Sequence, residues 1–333
     1  MNQFKQPQQR QNYNNEIRKA GFELEFSNID MQNIVEILTK ECFLEPKKIN
    51  NYLYKFASKY GNYTLELDFE LLTQQKFKKN ITKLSKSLGV SIEQKELEEL
   101  ESFIGKLSKD IVPYEISTPP IPLDKLDTVE QLIKKLSQNN AKGTTEKLYY
   151  AFGLHINLEV ISLESSSLLD YLKAYTLLQD FLNKDAKVDL ARKITPFIDN
   201  FKKEYIQYIL NPEYTPSQKE FIQDYLQFNP TRNRSLDMLP ILAYIDEDLV
   251  RKTLPDEKIK PRPTFHYRLS NSMIGEENWK VADEWNRWLL VEKLANDKKS
   301  LEKLSSKYLN HLDNFISITT WETQIEQWIQ NHL

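Results

Sequence analysis

The sequence is short of the residues from which several common sites are built. Its one cysteine, Cys42, excludes an intrachain disulfide framework and a cysteine-ligated zinc centre, and fits a reducing compartment. Its four histidines, His155, His266, His311 and His332, are too few and too scattered for a histidine-rich metal tract. Seven glycines occur, none in a G-x-G-x-x-G or G-x-x-x-x-G-K-S/T arrangement, which argues against a Rossmann dinucleotide site and a Walker phosphate loop. No apolar run reaches about 18 residues, so no membrane-spanning helix is expected. The N-terminus has no apolar h-region, so no secretory signal is expected and the cytoplasm is the expected compartment. Excess positive charge is also missing: a net charge of −3 gives no basic field to attract nucleic acid or an anionic membrane.

What is present is a globular composition over 333 residues, enough for one large domain with a core of ordinary size. Gly21-Phe22-Glu23-Leu24-Glu25-Phe26 reads as a short strand, because Phe22, Leu24 and Phe26 alternate with Glu23 and Glu25 at period two. Its polar face carries two carboxylates roughly 6.5 to 7 Å apart along the strand. Glu is a poor strand former, so the pair needs a reason. It is either the wet face of an edge strand or a pair of oxygen donors for divalent cations. Tyr63 to Glu70 repeats the pattern, with Tyr63, Leu65, Leu67 and Phe69 on one face and Glu66, Asp68 and Glu70 on the other. A hairpin-like pairing of the two strands would crowd carboxylates that repel unless protonated or neutralised.

Residues 1–18 are polar and rich in Gln and Asn, and read as a disordered tail ahead of a single domain over 19–333. Ile34, Val35, Ile37 and Leu38 are spaced for a helix near 30–43, and Cys42 beside Phe43 reads as a small buried hydrophobe. Residues 74–110 read as an amphipathic helical insertion. Glu115 lies in an extended piece ending at Pro119-Pro120, followed by a helix from Val129 to Leu136 with Asp127-Thr128 as cap candidates. In Leu154 to Val160 the apolar positions alternate with His155, Asn157 and Glu159, which places a histidine among polar neighbours on one face. Residues 165–228 are helical with a break near Asn211-Pro212. The loop 229–240 carries Arg232 and Arg234 two apart, a spacing shared by solvated loops and phosphate clamps. Phe265, Tyr267 and Leu269 alternate with His266 and Arg268 in another strand. Helices finish the chain from 277 to 333, with Trp279, Trp285, Trp288, Trp321 and Trp328 read as core.

In this order the strand motifs resemble the carboxylate–amine ligases of the glutamine synthetase fold, and most closely the amidoligase family. Gly21-x-Glu23-x-Glu25 resembles that family's opening strand of metal-binding glutamates, and an Asp-containing strand is matched at Asp68. Glu115-Ile116-Ser117-Thr118-Pro119-Pro120 resembles its E-I/V-x-S/T-P-P segment, and Gly153-Leu154-His155-Ile156-Asn157 its G-x-H-I/V-N/H strand. The resemblance spans about 19 to 295. Two departures stand out: Asn157 where the family often has a second histidine, and His266-x-Arg268 where related ligases often carry Glu-x-Arg.

The resemblance implies an α+β fold with a curved, mainly antiparallel sheet, lined with polar catalytic residues and packed by helices. It implies ATP-dependent amide-bond formation through an acyl phosphate, with ATP and Mg²⁺ or Mn²⁺ as cofactors. The implied partners are small-molecule or peptide carboxylates and amines, and further copies of the chain in a homo-oligomer. Glu23, Glu25, Glu115 and His155 are the implied metal ligands. Arg268, Arg232 and Arg234 are implied at the transferring phosphoryl, Arg262 and Asn157 at nucleotide or carboxylate, and Asp68 as a ligand or an amine-orienting group. Two other functions fit the same strands: a guanidino-kinase-like phosphoryl transferase, and an inactive Mg-ATP-binding scaffold. A soluble α+β protein with acidic surface strands remains the plainest alternative.

Overall fold

Strand β1 (Lys19–Phe26) alternates as the sequence reading expects, with Phe22, Leu24 and Phe26 buried and Glu23 and Glu25 partly open. A computed structural model describes residues 3–67, 113–144, 152–186, 199–313 and 321–331. The helical insertion read at 74–110 and Asp68 lie outside the described residues.

Around β1 the chain adds β2 (Glu45–Asn50), β3 (Leu53–Ser58), β4 (Gly61–Leu67), β5 (Tyr114–Ser117), β6 (Ile121–Pro122), β7 (Leu154–Glu159), β8 (Leu236–Asp237) and β9 (Thr264–Tyr267). They form one open sheet in the order β2-β3-β4-β5-β1-β7-β9-β8, with β6 beside the start of β1. Each of these strand pairs is antiparallel. β3 and β4 form a tight hairpin closed at Ser58 and Gly61. Gly61 takes φ +126°, a conformation that L side chains rarely adopt. The acidic strands β1 and β4 do not pair. β5 lies between them, so Glu115 stands opposite Glu25 on one side and Glu66 on the other.

Among the described residues ten helices accompany the sheet. They are α1 (Met31–Lys40), α2 (Asp127–Gln138), α3 (Ser165–Asp185), α4 (Lys203–Leu210), α5 (Gln218–Phe228), α6 (Leu239–Ile245), α7 (Glu247–Thr253), α8 (Val281–Asn296), α9 (Lys298–Asp313) and α10 (Trp321–Gln330). None of them is long and apolar enough to cross a membrane. Asp30 caps α1 by accepting from the Asn33 amide, and Ser217 with Glu220 forms a capping box on α5. The caps expected for α2 are displaced. Leu126 occupies its N-cap without a side-chain bond, while Asp127 begins the helix and Thr128 donates back to the Lys125 carbonyl.

The apolar face of the sheet packs on α3 and α8. Tyr171 stacks on Phe265 at 4.8 Å between ring centres, and Trp288 closes on Phe265 and Tyr267. Trp285, Trp288, Trp321 and Trp328 are all core, as read from the sequence.

The N-terminal residues are not a free tail. Residues 3–18 lie against the body of the protein. Phe4 is buried against Phe22 and Trp285, and the Trp285 indole donates to the Lys5 carbonyl. Arg18 is fully buried and makes a two-pronged ion pair with Glu292 of α8, at 2.6 and 3.1 Å. It also donates to the carbonyls of Glu159 and Gln9. A composition too polar to form a core by itself is held by one aromatic, one guanidinium and side-chain-to-backbone bonds. Burying Phe4 alone is worth about 1.5–3 kcal/mol.

Candidate active site

The opposite face of the sheet gathers the polar residues, because every second residue of β1, β4, β5, β7, β8 and β9 points to it. Strand register sorts them into rows. One runs Glu66, Glu115, Glu25 across β4, β5 and β1. The next runs Thr64, Ser117, Glu23, His155 across β4, β5, β1 and β7. The third runs Gly21, Asn157, His266, Asp237 across β1, β7, β9 and β8.

Glu23 is the centre of the group. Its Oε1 accepts from Asn157 Nδ2 at 2.8 Å. Its Oε2 faces two imidazole nitrogens, His155 Nδ1 at 3.0 Å and His266 Nε2 at 3.6 Å. Burial works to raise the Glu23 carboxyl, but the two imidazoles beside it outweigh this and hold it well below the usual carboxylate range. His155 is pushed the other way, down to about 3, first by burial and with Arg268 and His266 acting in the same sense. The pair is therefore an ionised carboxylate and a neutral imidazole at neutral pH. Because a carboxylate only accepts, the His155 tautomer that fits carries its proton on Nδ1 and donates it to Glu23.

His266 is 8% exposed, and its Nε2 has no hydrogen-bond partner in the structure. Its Nδ1 lies 3.4 Å from Asp237 Oδ2, and Asp237 is itself fixed by the Leu239 amide donating to Oδ1 at 2.9 Å. Glu23, His155 and His266 each offer a ligand atom within 4.8 Å of the others, a donor group of a size that can surround one metal ion.

Basic groups line the rim. Arg262 donates through Nε and a terminal nitrogen to Asn157 Oδ1, at 3.1 and 2.6 Å, and reaches within 3.9 Å of Glu23 Oε1. Asn157 is thus a spacer between a guanidinium and a carboxylate. Arg268 is buried, and a terminal nitrogen donates to the Arg232 carbonyl at 2.6 Å. Burial lowers its guanidinium from the usual value against the pull of Asp237 and Glu23, and an arginine remains a cation throughout. In the carboxylate row, Glu25 Oε2 accepts from the Gly153 amide at 2.7 Å, and Glu115 Oε1 from the Ser117 hydroxyl at 2.9 Å.

The structure brings together Glu23, His155, Asn157 and Arg262 directly, with Glu25 and Glu115 one row away and Arg268 buried beside them. Arg232 adjoins through its backbone, while its guanidinium lies 3.5 Å from Asp256. Arg234 does not join the group. It is buried over the Phe201 ring, and its donors go to Asn229 and the Asn200 carbonyl, so its role is to pin the 229–240 loop. Cys42 is half-buried beside a cavity lined by Phe43, Tyr60 and Leu132, and burial pushes its thiol up to about 11.

Sequence reasoning left Asp237 and Glu66 out of the site and noted His266 only as a departure on the late strand. The alternation of His266 with Phe265 and Tyr267 carried a signal, and so did Glu66 within E-x-D-x-E. Asp237 carried none, since a two-residue strand has no periodicity.

An antiparallel sheet with carboxylates, imidazoles and arginines gathered on one face offers both ligand atoms for cations and donors for anions. The chain belongs to the amidoligase enzyme family: the family model described as "Putative amidoligase enzyme" matches residues 16–290. No curated protein and no solved structure matches the chain.

Proposed function

We propose that this protein is an ATP-dependent carboxylate–amine ligase with a glutamine synthetase-like fold. In that reaction a substrate carboxylate accepts the γ-phosphoryl of ATP, and an amine then displaces phosphate from the acyl phosphate. The products are an amide, ADP and phosphate. The observation that carries the reading is the face itself, where the Glu66–Glu115–Glu25 row and the Glu23 group lie in adjacent register between strands that also bring Arg262 and Arg268.

The first step brings two anions together, so charge must be offset at the point of contact. Mg²⁺ supplies that offset when bound, and hard carboxylate oxygens are its preferred protein ligands. Glu25, Glu115 and Glu66 bring such oxygens into one row on three adjacent strands, while the group whose ligand atoms converge within 4.8 Å is Glu23, His155 and His266. The chain's own residues have separate tasks. Glu23, kept ionised, holds negative charge at the centre of the face. Arg262, braced by Asn157, is placed to orient a phosphate or carboxylate. Arg268, withdrawn from water, is placed to stabilise charge on a phosphoryl group in transfer, a role whose loss costs roughly 10² to 10³ in rate. The acceptor class is an amino acid, a peptide or a peptide-like chain.

Purified protein with Mg·ATP should release ADP in the presence of a suitable carboxylate and amine, and mass spectrometry should find the condensed amide. Glu25→Ala should abolish both. ADP release with a phosphorylated guanidine and no amide would replace this reading with a kinase. Turnover by Glu25→Ala equal to wild type would remove the carboxylate row from the mechanism.

A further inference from the structure

We propose that Glu23, His155 and His266 form a nitrogen-rich cation site that selects a first-row transition metal ion over Mg²⁺, distinct from the carboxylate row beside it. The inference deepens the ligase reading, on which it rests for what the ion does but not for which ion is held.

Donor chemistry is the first argument. Mg²⁺ favours six oxygen ligands in near-ideal octahedral order, whereas imidazole nitrogen suits Zn²⁺, Fe²⁺ and their neighbours, and two imidazoles with one carboxylate is a recurrent set for such ions. Here the set is Glu23 Oε2 facing His155 Nδ1 at 3.0 Å and His266 Nε2 at 3.6 Å. Ligand atoms about 2.1 Å from a shared metal lie about 3.0 Å apart at right angles and about 3.4 Å apart at the tetrahedral angle. The two separations fall close to that span. An ion that replaced the proton between Glu23 and His155 would need little movement of any of the three side chains.

The second argument is the surroundings. His266 Nε2 is buried and makes no hydrogen bond, with Glu23 Oε2 facing it at 3.6 Å, and a buried nitrogen left without a bond costs free energy unless another group engages it. Behind it, Asp237 Oδ2 lies 3.4 Å from Nδ1 and is anchored by the Leu239 amide, the carboxylate–histidine relay that fixes a ligating imidazole's tautomer and orientation. On the other side Asn157 engages Glu23 Oε1, which turns Oε2 toward the imidazoles. Two of the three donors, Glu23 and His266, are therefore oriented from outside the group.

Titration calorimetry of the full chain without nucleotide tests the proposal, using Zn²⁺, Mn²⁺ and Mg²⁺ in turn. One equivalent of Zn²⁺ should bind tightest, then Mn²⁺, with Mg²⁺ at least tenfold weaker than Mn²⁺ at this site. Pulsed electron paramagnetic resonance of the Mn²⁺ form should show coupling to two imidazole nitrogens, falling to one in His266→Gln. Asp237→Asn should weaken Mn²⁺ binding by 10- to 100-fold while keeping both nitrogens. The wild-type nitrogen couplings decide the matter even if a variant fails to fold. Absence of nitrogen coupling, or Mg²⁺ binding as tightly as Mn²⁺, overturns the proposal. ADP release with Mg²⁺ alone and no preference for Mn²⁺ would overturn it while leaving the ligase reading intact. Selective Mn²⁺ binding with no ADP release under any substrate pair would do the reverse.

Discussion

Glu292 and Glu23 are both drawn into the protein among partners from distant parts of the chain, and they are satisfied in opposite ways. Glu292 meets a dedicated guanidinium. Arg18 takes both of its oxygens, and the two groups are sealed between the N-terminal segment and α8. Glu23 meets a primary amide and two imidazoles, and the Arg262 guanidinium, 3.9 Å away, is bonded to Asn157. A carboxylate closed off by arginine has no capacity left for a ligand. A carboxylate flanked by an amide and imidazoles keeps its charge available. The same contrast separates the arginines: Arg234 is consumed by Asn229, Asn200 and Phe201, whereas Arg262 borders Glu23. Residue type does not distinguish scaffold from chemistry here; the partner does.

The contrast can be broken or sharpened by mutation. The largest effect should come from Glu292→Ala, which strands a buried Arg18 charge and should cost about 3–5 kcal/mol of stability in chemical denaturation. The double change Arg18→Met with Glu292→Leu should recover most of that loss, since apolar groups can replace a buried pair. Failure to recover would mean that Arg18 matters chiefly through its bonds to the Glu159 and Gln9 carbonyls.

Glu23→Gln should do the opposite, leaving the denaturation midpoint within about 1 kcal/mol of wild type and lowering ADP release by roughly 10² or more. Equal activity would move the chemistry away from this carboxylate. Next in size, Arg262→Lys should raise KM for the nucleotide or carboxylate about tenfold with a smaller change in kcat, because lysine cannot reproduce the paired contact to Asn157. Arg234→Lys should change neither constant and only lower the melting temperature.

The smallest effect concerns Cys42. With its thiol pushed up to about 11, only about one molecule in a thousand carries the thiolate at pH 8. Alkylation should therefore be slow at neutral pH and accelerate steadily as pH rises toward 11, with activity unchanged by the modification. Rapid labelling at pH 7 would contradict that environment.

Much of this arrangement was legible in the sequence because strands report their two faces at period two. Glu23 and Glu25 opposite Phe22, Leu24 and Phe26, and His155 and Asn157 opposite Leu154, Ile156 and Leu158, could be read directly. The order of strands could not. Alternation shows which way a side chain points but not which strand lies next to it, so β1 and β4 looked like partners until β5 was found between them. Arg232 and Arg234 had the same local signal and different fates, because burial over Phe201 depends on residues more than thirty positions away. The N-terminal segment was misread for a related reason. Its average polarity is that of an unstructured chain, yet Phe4 and Arg18 are enough to fasten it once α8 offers Trp285 and Glu292.

The insertion of β5 between β1 and β4 has a kinetic side. Glu23 reaches His155 across 132 positions and Asn157 across 134, and the carboxylate row joins Glu25, Glu66 and Glu115, which are far apart in the chain. Such long-range pairings carry a high loop-closure cost before any contact repays it, which slows folding relative to the local β3–β4 hairpin. No short fragment of the chain contains the site. The carboxylate row is complete only once β5 has entered the sheet, so on the proposed assignment of Mg²⁺ to that row the appearance of Mg²⁺ affinity during refolding would time the arrival of β5.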